Sequence, residues 1–261
     1  MRKISACLIT LNEEKHIERA LHSLTWVDEI VIVDALSSDR TKTIALDPKS
    51  SWASKVKWIE RKWDGFKSQR NFAMESASND WILVLDADES VTPELASKLQ
   101  TLLAQSELHP AWKVRRQEYF LGEKINHGVW NPSYQDRFFN RQGVQYVNEI
   151  HEYPVFPVQA QRLHEAILHS PDFAPEYFLY KMNKYTSIEA KNRVDAGQRT
   201  NWFHIVFAGP AMFLKNYFYY AAWKDGIHGI AISVLEGVSR SVRHVKIWQY
   251  QRELDQKRGS S

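Results

Sequence analysis

The sequence predicts an α/β fold with a mostly parallel sheet flanked by helices, and three observations predict it. Short apolar runs alternate with amphipathic stretches from residue 4 to residue 86. Carboxylates and amides recur where those runs end. With 261 residues, 44% of them apolar and 13% aromatic, the chain can bury a full core.

In chain order, Ile4 to Thr10 is a buried strand, Glu13 to Leu24 an amphipathic helix, and Glu29 to Asp34 a second strand. Asp39 to Leu46 is the next helix, Val56 to Arg61 the third strand, Phe66 to Ala77 the third helix and Trp81 to Asp86 the fourth strand. A β-α-β-α-β-α-β alternation implies right-handed crossovers, helices on both faces, and ligands at the carboxyl ends of the strands. Asn12-Glu13, Asp34, Asp86 and Asp88 fall at those ends. From Trp112 the pieces are shorter: Trp112 to Gln117, a Gly- and Pro-containing loop from Gly122 to Pro132, then Tyr134 to Asn140 and Gln145 to Val147, a hairpin-like second half. Pro175 to Arg199 reads as helix. Residues 1–199 are therefore expected to form the main domain, with a ligand-binding half at 1–111 and a second half at 112–199, and 200–261 a helical tail.

Composition narrows the partners. A net charge of +3 is too weak to argue for nucleic acid, but residues 200 to 261 hold eight Lys/Arg against four Asp/Glu, so the tail is the basic part. Cys7 is the one cysteine, which excludes an intramolecular disulfide and a Cys-rich zinc site and fits a reducing compartment. Met1-Arg2-Lys3-Ile4 begins like a secretion signal, but Asn12-Glu13-Glu14-Lys15 ends the apolar stretch and no small-residue cleavage site follows, so a cytosolic start is expected.

Trp202 to Trp223 is rich in Phe, Tyr, Ala and Trp and contains no acid. Its length approaches that of a bilayer span. Gly209-Pro210 interrupts it, however, and Lys215-Asn216 lie inside it, which favours helices lying in a membrane interface over a spanning helix. Arg240, Arg243, His244 and Lys246 then add cations suited to lipid headgroups. A pair of core helices and a protein interface are the competing explanations.

Asp86-Ala87-Asp88-Glu89 carries the most chemistry. Mg²⁺ and Mn²⁺ prefer carboxylate oxygen and take only one or two protein carboxylates, leaving room for substrate phosphates and water. The same acids, standing before Pro93-Glu94-Leu95, also suit a helix N-terminus.

Set together, Ile4-Ser-Ala-Cys-Leu-Ile-Thr10-Leu-Asn12-Glu13-Glu14, Val31-Ile-Val-Asp34, Ser38-Asp39-Arg40-Thr41, Trp63-Asp-Gly65-Phe66, Gln69-Arg70-Asn71-Phe-Ala73 and Trp81-Ile-Leu-Val-Leu-Asp86-Ala-Asp88-Glu89 resemble, in order and spacing, the family 2 inverting glycosyltransferases of GT-A fold. Later blocks are similar to the bacterial lipopolysaccharide core-type members: Phe120-Leu-Gly122, His127-Gly128-Val-Trp130, Tyr134-Gln135-Asp-Arg137-Phe138-Phe139, Val147-Asn-Glu-Ile-His151-Glu152 and Asp225-Gly226-Ile-His228-Gly229. The resemblance covers nearly the whole chain.

The resemblance implies a UDP-sugar donor, a Mg²⁺ or Mn²⁺ ion, and a lipid-linked saccharide acceptor met at the cytoplasmic face of the inner membrane, with the tail as a peripheral membrane contact. It places Thr10, Asn12 and Glu13 beside the nucleotide and Asp34 against a uracil N–H. Arg70 is expected on a base carbonyl or the diphosphate, Asp86 on the ribose or in support of the metal shell, and Asp88 on the metal. His169, after the strand-like Ala166-Ile-Leu168, is a further metal candidate, since neutral imidazole is a capable ligand; a structural histidine is the alternative. Inversion needs a base for the acceptor hydroxyl. Glu152 matches the family position, with Glu149 and Asp136 as rivals. Trp130 and Tyr134 form a sugar-stacking wall or belong to the core, and Arg137 beside them is expected to meet an anionic acceptor. Glu89 is expected only to open the following helix.

One departure stands out. Relatives usually carry a small residue and a Gly after the strand-two Asp, whereas here Asp34-Ala35-Leu36-Ser37 follows, and Leu36 adopts positive φ less cheaply than Gly. A displaced nucleotide loop is expected. That change motivates a reading from another class, a catalytically idle glycan- or membrane-binding module that keeps the nucleotide fold. A nucleotidyltransferase is disfavoured because Asn12-Glu13-Glu14 puts acid where a triphosphate would lie.

Overall fold

The computed structural model describes residues 2–148, 152–171 and 175–259. The chain divides into two compact units, one made of 1–117 with 133–171, the other of 118–132 with 172–261. The sequence-based boundary stood at 199, so the helix beginning at Pro175 groups with the tail helices.

In the first unit β1 (Ile4–Thr10), α1 (Ile17–His22), β2 (Glu29–Asp34), α2 (Thr41–Ala45), β3 (Val56–Glu60), α3 (Phe66–Glu75) and β4 (Trp81–Val84) alternate as expected. The order β3-β2-β1-β4 is parallel throughout. Beyond β4 the direction changes. β5 (Glu89–Val91), α4 (Pro93–Leu103), β6 (Ala111–Phe120), β8 (Ser133–Asn140) and β11 (Gln161–His169) continue the sheet in the order β8-β6-β11-β5, with antiparallel pairing of β8 to β4 and to β6 and of β11 to β5. The sheet is thus mixed, parallel only in its first half. β9 (Gln145–Val147) and β10 (Tyr153–Val155) form a separate antiparallel pair, and β7 (Glu123–Lys124) pairs with the end of β6 in the second unit.

The central strands are buried on both faces, so their sequences read as unbroken apolar runs. Side chains alternate between faces. Ala6, Leu8, Ile30, Ile32 and Leu83 pack into one cluster, while Cys7, Val31, Val33, Ile82 and Val84 pack into the other. Cys7 is a core residue whose thiol burial pushes up. Helix α4 starts cleanly because the Thr92 hydroxyl accepts from the Leu95 N–H and Pro93 occupies the first turn.

The second unit is helical: α5 (Pro175–Asp195), α6 (Trp202–Leu214), a π turn and a 3₁₀ turn, and the 34-residue α7 (Gly226–Gly259). Pro210 does not break α6, contrary to the expected interruption. Gly209 instead permits a close helix crossing: a Cβ there would stand 2.8 Å from the Gly237 carbonyl oxygen. Among the described residues no helix is long and apolar enough to cross a membrane.

Candidate active site

At the end of β2, Asp34 is buried and bonded at both oxygens. Its Oδ1 accepts from the Thr10 hydroxyl at 2.9 Å and the Ser37 hydroxyl at 2.5 Å, and its Oδ2 from the Ser37 N–H at 2.7 Å. Asn12 joins the same loop, its N–H donating to Ser37 Oγ and its Oδ1 accepting from the Ser38 N–H, both at 2.8 Å. Leu36 takes the left-handed conformation at φ 67° with its side chain in solvent. The Asp34 and Asn12 bonds close the turn and hold Leu36 in the backbone conformation that glycine would favour. The Glu13 carboxylate turns toward His16 at 2.9 Å, and its N–H donates to the Thr41 hydroxyl.

After β4 a chain of alternating charges runs through the unit. Arg70, on α3, donates from Nε to Glu152 at 3.0 Å and from its NH2 group to Asp86 Oδ1 at 2.8 Å. The other Asp86 oxygen accepts from Arg137, on β8, at 2.6 Å, and the same Arg137 nitrogen reaches Glu89 at 2.7 Å. Burial opposes ionisation of Asp86, but Arg137 and Arg70 outweigh it and hold its carboxyl well below the usual carboxylate range. Burial works against both guanidiniums too, and the facing carboxylates more than offset it, so both remain charged. Glu89 behaves oppositely: burial pushes its carboxyl up despite Arg137, and the nearby Asp86 charge adds to the effect.

Asp88 lies one turn away, 3.3 Å from His169 Nε2. Glu89 and His169 are register partners of β5 and β11, which brings the strand end carrying His169 to the acidic turn. Arg19 on α1 staples both strands by donating to the carbonyls of Asp88 and Ser170, each at 2.9 Å. One carboxylate and one imidazole form a donor set that suits a divalent ion whose remaining ligands are diphosphate and water. Among the described residues no group of three or more His, Cys, Asp or Glu side chains is placed to hold a metal.

Of the expected site residues, the structure brings together Thr10, Asn12 and Asp34 in one loop cluster, Arg70, Asp86, Arg137 and Glu152 in the charge chain, and Asp88 with His169. Arg137 is not in the company expected of it: it is buried on Asp86 and Glu89, so its charge is matched inside the protein. Tyr134, also on β8, meets His164 and the Arg162 guanidinium. Trp130 belongs to the second unit, where it packs against Phe120 and Phe178 and donates to Glu236 at 2.8 Å. The rival base Asp136 is paired with Lys113 at 2.9 Å, and Glu149 lies outside the described residues.

Sequence reasoning missed Ser37, Arg19 and above all Glu89. Glu89 is fully buried, lies in β5 rather than at a helix start, and accepts from the Asp86 N–H at 3.0 Å. The available signal was the apolar pair flanking it, Ala87 and Val91, too short to announce a strand.

The chain is 29% identical over 251 residues to the lipopolysaccharide core biosynthesis glycosyltransferase LpsC of Rhizobium meliloti (strain 1021), covering 94% of this chain and 92% of the relative. It is 28% identical over 260 residues to an uncharacterized glycosyltransferase of Rickettsia typhi, covering 95% and 87%. The mannosyltransferase PcManGT of Pyrobaculum calidifontis, solved with GDP-Man and Mn²⁺, superposes with a TM-score of 0.50 at 14% identity over 94% of this chain and 87% of that one, the same fold. The model of glycosyl transferase family 2 matches residues 5–167, well over half of the sequence, and the chain therefore belongs to that family.

Proposed function

We propose that this glycosyltransferase moves a hexose, with glucose the preferred candidate, from a UDP-sugar to a lipid-linked saccharide such as the lipopolysaccharide inner core, with inversion at the anomeric carbon. The observation that carries the reading is the Asp86–Arg70–Glu152 arrangement, which fixes a carboxylate beside the strand-end acids. Arg70 occupies Glu152 Oε1, and Oε2 takes the proton of the acceptor hydroxyl as that oxygen attacks the anomeric carbon and the bond to the diphosphate breaks. Thr10, Asn12 and Asp34 hold the base, with Asp34 Oδ2 keeping a lone pair for a uracil N–H. Asp88 and His169 would hold Mg²⁺ or Mn²⁺, which supplies charge stabilisation to the departing nucleoside diphosphate. The likeness to LpsC supports the acceptor class.

We place the enzyme peripherally at the cytoplasmic face of the inner membrane. Trp202, Phe203, Phe207, Phe218, Tyr219 and Ile227 of the second unit are all exposed, with Lys215 and Lys224 among them. Arg243 and Lys246 do not serve there as the sequence suggested, since they bind Glu189 and the Asn183–Ser187 turn of α5.

The test is a mass-resolved screen of nucleotide sugars against extracted lipid-linked saccharides with Mn²⁺, together with UDP titration. UDP is expected to bind more tightly with Mn²⁺, and Asp88→Ala to abolish that gain. Metal-independent UDP binding by the wild type would remove the role of Asp88. Donor binding without turnover on any acceptor would favour the idle-module reading.

A further inference from the structure

The proposed mechanism leaves a fully buried carboxylate unexplained. Glu89 has 0% exposure and no route to a substrate, yet it accepts two bonds that both concern Asp86. Its Oε2 takes the Asp86 backbone N–H at 3.0 Å, and its Oε1 takes Arg137 at 2.7 Å. Arg137 in turn grips Asp86 Oδ2 at 2.6 Å. Asp86 is thus held by its backbone and by one side-chain oxygen from the same strut, which leaves Oδ1 facing Arg70. Arg116 stands 3.7 Å from Glu89 as a second, weaker cation.

We infer that Glu89 and Arg137 are a positioning pair whose work is to aim Asp86 at Arg70, and through Arg70 to set the orientation of Glu152. A guanidinium binding two carboxylates through adjacent nitrogens has little angular freedom, so the direction of Asp86 Oδ1 determines the plane of Arg70, and that plane determines where Glu152 stands. Misplacing a reacting group by about 1 Å costs on the order of 10²-fold in rate. A buried ion pair is poor evidence for a stability role, because apolar replacements of similar volume are often neutral or stabilising. Retention of a buried carboxylate next to an already paired aspartate points instead to orientation. This inference rests on Glu152 being the base.

The experiment compares Glu89→Gln, Arg137→Lys and the apolar double variant Glu89→Leu/Arg137→Met, measuring kcat and KM for the UDP-sugar, UDP affinity by calorimetry, and thermal unfolding. The double variant leaves no unpaired buried charge from the strut and is expected to fold. In each variant kcat is expected to fall by about 10²-fold while UDP affinity and donor KM stay near wild type. Recovery of wild-type kcat in the folded double variant would overturn the inference, as would losses of UDP affinity that account for the whole fall in rate. If wild-type turnover is itself unaffected by Glu152→Gln, the base assignment fails first, and the positioning role falls with it.

Discussion

The two units solve opposite problems with their unusual residues. The first buries what is ordinarily exposed: Glu89 and Arg137 are buried and Arg70 and Asp86 half-buried, each charge answered by another. The second exposes what is ordinarily buried, with Trp202 at 71% and Tyr219 at 78% exposure. Buried paired charges cost desolvation energy that only fixed geometry offsets, so they mark a place where orientation matters. Exposed clustered aromatics give up hydrophobic stabilisation in the isolated protein, and this is the observation behind the membrane contact proposed above. The contrast extends to cations. Arg243 and Lys246, which looked like headgroup contacts, join α7 to α5, and Lys246 is held by Asn183, Thr186 and Ser187.

The sharpest way to break the comparison is Glu152→Gln. If the first unit is a preorganised site, turnover should fall by about 10²- to 10⁴-fold while UDP binding is kept, since only the proton acceptor is lost. Unchanged turnover would move the base to another carboxylate and leave the charge chain as a structural feature. Next in size is the surface of the second unit. Replacing Trp202, Phe203 and Phe207 with Ser should weaken binding to vesicles of phosphatidylethanolamine and phosphatidylglycerol about tenfold or more in co-sedimentation, and leave UDP affinity intact. Equal vesicle binding by the triple variant would assign the face to a protein partner or to nothing.

The smallest expected effect separates the units by pH. Burial, aided by Arg243, His204 and Arg240, holds His244 below its ordinary 6.5. The unfolded chain therefore takes up that proton first on acidification. This contribution is fully present above 6.5 and is lost as pH falls from there through the depressed value. Asp86, depressed below 3.8, has its contribution fully present above that figure and loses it as pH falls from there toward the folded value, a window well below that of His244. The stability of the second unit should thus decline slightly as pH falls below 6.5, and His244→Gln should remove the step. A pH-independent second unit, or an equal loss in the variant, would discard it.

Much of this was written in the order of residues. The strands at Ile4–Thr10 and Glu29–Asp34 are where periodicity put them, because strands buried on both faces leave an unambiguous apolar run. Carboxylates at their ends, and the motif order around them, sufficed for the family. The antiparallel half was harder. β11 is half-buried, β5 is buried but only three residues long, and the two pair across a long stretch of sequence, so no local period announces them. Pro210 misled for a related reason: a helix pressed against α7 at Gly209 and Gly237 tolerates a proline that local propensity would reject.

By itself, then, the sequence determined the parallel half of the fold, the family and the acids at the strand ends, since these depend on spacing along one chain. Only the tertiary structure decided who holds whom. That Leu36 would close its loop, that Arg137 would serve Asp86, and that Glu89 would sit beneath both depends on side chains from separate strands converging in a low-dielectric interior. There a charge must find a partner wherever the fold supplies one.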